Sequence, residues 1–231
     1  MNEHHTRFKD CDWYSTNYKE VSIGGVGGIG SWLSFFLARI GVPIEAYDDD
    51  TVDYTNMGGQ MFSPQQVGQK KTEAMYFNAK YFSGYDVKFK QMGRFCERKK
   101  VNPICFSCFD NMEVRREMFL YWKEKHVLKR SLTTPAAFID GRMSVESYQV
   151  FIVQPTLESC DAYEKELFSS DSVPNPLCSM KATSHIGAEI GSKMTQAFTN
   201  IVTNHNLGME LRETPFKTSY EAIFMDNINY M

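Results

Sequence analysis

The chain has 231 residues, a net charge of −3, and 23% charged against 42% hydrophobic residues. That length suits one large domain able to bury about 70% of its unfolded surface, and the small net charge gives no reason to expect a nucleic-acid or anionic-membrane surface. No apolar stretch reaches the roughly 18 residues of a membrane span, and the polar N-terminus lacks an apolar signal core, so a cytoplasmic protein with free thiols is expected from its six scattered cysteines.

Residues 1–20 read as a polar arm or short helix. Residues 21–23 are a short strand, followed by a glycine turn and a helix in which Leu33, Phe36, Leu37 and Ile40 recur at helical spacing, with Gly41 as the stop. "VPIEAY" is a second strand, so the first fifty residues form one βαβ unit. Residues 51–68 are a turn-rich connection, "QKKTEAMYFNAKYF" is helical, and "DVKFKQM" and "ICFSCFD" are strands. Asn111 is the expected N-cap of the helix "NMEVRREMFLYWKEKH". "AAFIDGRMSVESYQVFIV" suggests two strands joined near Asp140-Gly141, residues 154–180 a long loop, and residues 186–202 the final helix. The alternation predicts an α/β fold of Rossmann-like, doubly wound type, mostly parallel with a later antiparallel portion. We expect an arm over residues 1–20 and a single domain over 21–231, whose nucleotide-binding half ends about residue 130.

The glycine turn reads G-x-G-G-x-G through Gly25, Gly27, Gly28 and Gly30. Side chains at those positions would block a tight turn and the approach of phosphate to backbone amides, and the next helix aims its positive end at the same point. Asp48, at the end of the second strand, places a carboxylate where ribose hydroxyls would sit. Its neighbours Asp49 and Asp53 read as solvated loop residues. To this point a dinucleotide and a mononucleotide are both admissible, and a nicotinamide-dependent oxidoreductase is the alternative reading.

The stretch that follows carries more. Asp48-Asp49-Asp50-Thr51-Val52, Asn56, Gln60, Gly68-Gln69-Lys70-Lys71, and then Asp110, Asn111 and Arg115 in "CFDNMEVR" follow the glycine turn in order over roughly residues 20–120. In that order and spacing the chain resembles the E1-like adenylyltransferase superfamily, the ThiF, MoeB and HesA group. The resemblance implies an enzyme that binds ATP and Mg²⁺ and joins AMP to a carboxylate, usually the C-terminal glycine of a small ubiquitin-like carrier protein or peptide, with release of pyrophosphate. It implies that residues 25–30, Asp48 and Asp50 cradle the nucleotide. Asn56, Gln60 and Lys71 (or Lys70, which the spacing favours less) approach the phosphates, and Asp110, with Asn111 beside it, holds Mg²⁺. It also implies a homodimer in which an arm arginine reaches the partner's site, here Arg7. The activated acyl group is expected on Cys178 or Cys160 if a thioester forms.

The sequence departs from the family at two points. Gly59 stands where an arginine before Gln60 is expected, which removes a bidentate phosphate contact and admits a catalytically weak subunit of a heteromeric complex as a second reading. Many members hold zinc in two C-x-x-C pairs, whereas Cys105 and Cys108 form the single such pair, on a strand where residues three apart face opposite ways, so no zinc is expected.

Overall fold

A computed structural model describes residues 3–96, 100–129, 134–169 and 183–231. One sheet of eight strands runs through it in the order β3-β2-β1-β4-β5-β6-β7-β8. Strands β1 (Val21–Gly24), β2 (Ile44–Tyr47), β3 (Phe89–Gln91), β4 (Ile104–Ser107) and β5 (Ala137–Met143) are parallel. Strands β6 (Ser147–Val153), β7 (Lys217–Glu221) and β8 (Asp226–Tyr230) complete the sheet as an antiparallel meander. The Rossmann-like α/β fold and its late antiparallel portion are as expected.

Helices α1 (Gly30–Arg39), α2 (Lys71–Ser83) and α5 (Ser184–Leu207) cover one face, with Leu33, Leu37, Met75, Ile190, Met194 and Phe198 packed on Ile23, Ile44 and Ile139. Helices α3 (Met112–His126) and α4 (Leu157–Lys165) cover the other, where Phe119, Trp122 and Tyr163 pack on Tyr47, Phe138 and Phe151. Burying each such side chain contributes about 1.5–3 kcal/mol, and this apolar burial on both faces is what holds short parallel strands in place. Cys105 belongs to the second cluster and Cys108 to the first, so the two thiols face opposite layers.

Three expectations are corrected. Asp140-Gly141 is not a hairpin turn: β5 runs straight through it, and the turn lies at residues 144–146. Asp140 is fully buried between Arg115 and Arg142, and a Cβ on Gly141 would stand 2.7 Å from Met194 Sδ, so burial rather than turn geometry explains this pair. The presumed loop after residue 154 contains α4, N-capped by Thr156, whose hydroxyl accepts from the Ser159 amide at 3.2 Å. Beyond α5 the chain adds β7 and β8, which polar composition concealed.

The N-terminal arm folds back on the sheet. His5 is buried, 2.9 Å from where a Cβ on Gly41 would sit, and makes an edge contact with Tyr85 at 5.4 Å. Residues 41 and 85 precede β2 and β3, so the arm lies at the strands' N-terminal ends.

Candidate active site

Parallel strands deliver the residues that follow them to one rim of the sheet, and at that rim there is a cavity of about 420 Å³. Its floor is the glycine turn after β1. Gly25 has φ +84°, a left-handed conformation that side chains resist, and a Cβ on Gly30 would stand 1.8 Å from the Gly25 carbonyl oxygen. Gly27, by contrast, has only the Gln60 amide within 4.0 Å of its Cβ position, so a side chain there would project into the cavity. Helix α1 begins from this turn with no side chain capping it and no acid in its first turn, leaving its amide end suited to an anion.

Asp48 lies at the cavity wall. Its carboxylate accepts from the Val26 amide at 2.7 Å and from the Asp50 amide at 2.9 Å, which ties the acidic loop to the glycine turn. Burial pushes its carboxyl above the usual range, and the Val26 amide and Lys71 offset this only in part. Lys71 is buried at the start of α2 and donates to Asp50 Oδ2 at 2.7 Å. Three backbone bonds fix that start: Lys71 to Asp50, Val52 to Gln69 and Gly68 to Val52, at 3.0, 2.9 and 2.9 Å. Lys70 instead donates to the Asp49 carbonyl on the surface and is not among the cavity residues, so of the two lysines it is Lys71 that lines the cavity.

Gln60 lines the cavity, and its buried side-chain oxygen has no protein partner. Asp110 and Asn111 also line the cavity, in the turn between β4 and α3. Asn111 also caps α3 through the Val114 amide at 2.9 Å. Asp110 is exposed at the cavity as a hard oxygen donor. Among the described residues no three histidine, cysteine or acidic side chains gather to hold an ion unaided. A divalent cation here would share Asp110 with oxygens of its own ligand.

Other expected site residues fall elsewhere. Asn56 is not among the cavity residues: its side-chain oxygen accepts from the Asp53 amide at 2.9 Å in a capping box over residues 54–56. Asp53 is thus a cap rather than a merely solvated acid. Arg115 is buried, pairs with Asp140 at 2.6 Å and donates to the Phe109 carbonyl, supporting the segment that carries Asp110 from behind. Arg7 is exposed on the arm, between His5 and Phe8, and does not line its own chain's cavity. Cys160 is fully buried in α4, and burial pushes its thiol up to about 11, so it is not a poised acyl acceptor. Cys178 lies outside the described residues.

Sequence reasoning missed Tyr47, Arg94 and the aromatic wall of Phe95 and Phe109. Phe95 meets Tyr47 edge-on at 5.5 Å and faces Phe109 at 6.5 Å. The available signal was topological: β3 pairs in parallel with β2, so residues soon after β3 must arrive at the rim where Asp48 sits.

Comparison with known proteins agrees with this architecture. Curated relatives include the ubiquitin-like modifier-activating enzyme 5 of Culex quinquefasciatus, 29% identical over 147 residues, covering 52% of this chain and 37% of the relative. The Arabidopsis thaliana protein of the same name is 46% identical over 55 residues, covering 23% and 13%. Among solved structures, E. coli MccB with ATP superposes with a TM-score of 0.66 at 15% identity, covering 93% of this chain and 63% of MccB. PaaA superposes with a TM-score of 0.66 at 14% identity, covering 97% and 65%. The chain thus spans less than two-fifths of the length of these curated relatives and under two-thirds of the solved ones. The ThiF family pattern matches residues 13–224, from the arm through β7, and the chain belongs to the ThiF family.

Proposed function

We propose that this chain binds ATP in the rim cavity and activates a carboxylate as its acyl-adenylate. The observation that carries this reading is the convergence of Asp48, Gln60, Lys71 and Asp110 around the glycine turn in one cavity. A carboxylate oxygen of the substrate attacks the α-phosphorus, the bond from that phosphorus to the bridging oxygen breaks, and pyrophosphate leaves with the electron pair. Asp48 accepts from the ribose hydroxyls. The glycine turn and the uncapped end of α1 face the phosphates, and Lys71 and Gln60 donate to them. Asp110, with Asn111 beside it, would hold Mg²⁺, which when bound neutralises phosphate charge. Asp50 orients Lys71 through their 2.7 Å pair.

The relatives support one substrate class for this reading. Several are named ubiquitin-like modifier-activating enzymes, and MccB has been solved with its N-formylated MccA. The proposed substrate is therefore a small ubiquitin-like carrier protein or peptide with a C-terminal glycine, lying over the antiparallel half of the sheet. A homodimer would let Arg7 serve the partner's site. Gly59 favours a second reading, a catalytically weak subunit, because no side chain there reaches the phosphates. Calorimetric titration with ATP plus Mg²⁺, beside NAD and NADP, tests both: Mg²⁺-dependent ATP binding lost in Asp110→Ala supports adenylation, and NAD binding sinks it. ATP binding without carboxylate-dependent pyrophosphate exchange selects the weak subunit.

The state of Asp48 makes the site sensitive to pH. Its folded-state pKa is raised, so folding favours its protonated form. Between the ordinary carboxylate value and the raised one, this group's contribution to stability grows as pH falls. Ribose binding runs the other way, because the ionised carboxylate is the stronger acceptor. Adenosine, which carries no phosphate to titrate, is expected to bind more weakly as pH falls through that window. The slope is expected to flatten in Asp48→Asn, and a slope unchanged in that variant would remove Asp48 from the ribose position.

A further inference from the structure

The outer faces of α1 and α2 reverse the usual pattern of a surface helix. Ser31 and Ser34 of α1 and Thr72 and Ser83 of α2 are buried, while Phe77, Tyr81 and Phe82 of α2 are 51%, 82% and 46% exposed. Phe35 and Phe36 of α1 are half-buried beside them. The rings touch in series: Tyr81 to Phe82 at 5.2 Å, Phe82 to Phe35 at 5.5 Å and Phe35 to Phe36 at 5.7 Å. Polar side chains inside and a continuous run of rings outside mark a face that another surface covers. We propose that a second copy of this chain covers it, with the two α2 helices antiparallel about a two-fold axis at Phe77; this gives the homodimer proposed above its face and rests on that reading.

Two features choose a second copy as the occupant. The first is that the exposed stripe of α2 complements itself. Glu73, Phe77, Lys80 and Tyr81 are exposed at helical spacing along one face. Glu73 stands four residues before Phe77, Lys80 three after it and Tyr81 four after it. A two-fold axis at Phe77 therefore sets ring against ring and brings Glu73 of each copy beside Lys80 and Tyr81 of the other, so that opposite rather than like charges face. The pair that Lys80 makes within its own chain, with exposed Asp86 at 3.4 Å, is of the kind that solvent weakens. The second feature is size. The exposed parts of Phe77, Tyr81 and Phe82 amount to on the order of 350 Å² per copy, nearly half of the roughly 800 Å² that each partner buries in a standard interface. A groove of about 400 Å³ between α1 and α5, lined by Phe35, Phe36 and Ile40, continues the same face.

The test is light scattering after size exclusion, over a dilution series. Wild type is expected at twice the 26.6 kDa of one chain. Phe77→Glu sets two carboxylates against each other on the axis and should raise the dissociation constant about 100-fold. Its far-UV circular dichroism should not change, because the side chain already stands half in solvent. Phe224→Glu replaces an equally exposed ring on the turn between β7 and β8 and should leave the mass as it is. Glu73→Lys, which faces Lys80 of the other copy, is expected to weaken pairing about 3–10-fold, and adding Lys80→Glu to restore it. A dimeric wild type whose dissociation constant Phe77→Glu moves by less than about twofold overturns this face alone. A double variant no tighter than Glu73→Lys overturns the axis at Phe77. Wild type that stays monomeric throughout the series sinks the homodimer itself, and this face with it.

Discussion

Lys71→Ala is expected to lower carboxylate-dependent ATP–pyrophosphate exchange by about 10²–10³-fold, the usual cost of removing a pre-positioned donor from a transition state that gathers charge. The expectation rests on how firmly the ammonium is held. Lys71 is 7% exposed, its backbone is clamped to the acidic loop, and Asp50 fixes its head at 2.7 Å. Little reorganisation is then needed when the phosphates arrive. Lys71→Met keeps the length and packing of the stem, so a comparable loss in that variant with an unchanged melting temperature would assign the effect to charge. Lys70→Ala is the internal control: its ammonium is engaged by the Asp49 carbonyl, and exchange should stay within about twofold. If the two lysines exchanged roles in this experiment, the placement of α2 over the cavity would have to be abandoned.

The second large effect is on stability. Asp140 is fully buried and receives Arg115 at 2.6 Å, Arg142 at 2.7 Å and the Tyr163 hydroxyl at 2.9 Å. Arg142 is held further over the Phe151 ring at 4.4 Å. Asp140→Ala leaves two guanidinium groups without their common counter-ion, and breaking one side of a buried pair costs about 3–5 kcal/mol. Urea unfolding should show a lower midpoint at an unchanged slope. Asp140→Asn keeps an acceptor and should cost less. A loss under about 1 kcal/mol in Asp140→Ala would mean that water reaches these arginines and that the network is not structural. Because Arg115 also holds the Phe109 carbonyl, the same variant is expected to disturb Asp110.

The parts legible in the sequence are those where one residue type has one physical use. The glycine turn and Asp48 could be read because Gly25 and Gly30 tolerate no side chain and because an acid closing a strand has few other roles there. Lys71 was favoured over Lys70 by spacing, whereas the side-chain contacts that separate the two, Lys71 to Asp50 and Lys70 to the Asp49 carbonyl, leave no local signature. Asp140-Gly141 misled because an Asp-Gly pair serves a turn or a buried ion pair equally well, and only tertiary packing decides. Helix α4 was hidden because just Cys160 and Tyr163 of its nine residues are buried, too few to set up a helical period. Strand β8 is exposed along its whole length and offers no alternation to detect. Arg94 lies in an irregular segment whose position is dictated by its neighbour strand rather than by any local pattern.

Helix α5 crosses the start of α1 through two glycines one turn apart. A Cβ at Gly187 would stand 2.4 Å from the Gly28 carbonyl oxygen, and one at Gly191 would stand 2.9 Å from the Leu33 amide nitrogen. Successive residues on a helix are turned by about 100°, so rolling α5 by one position would drive the side chain of Ile186 or Ala188 into the glycine turn. The helix is keyed like a shaft in a slot. Both its rotation and its axial position are set by these two close approaches. Because α5 also packs on β5 and β6, a displacement of those strands that moved the helix would press directly on the glycine turn at Gly28.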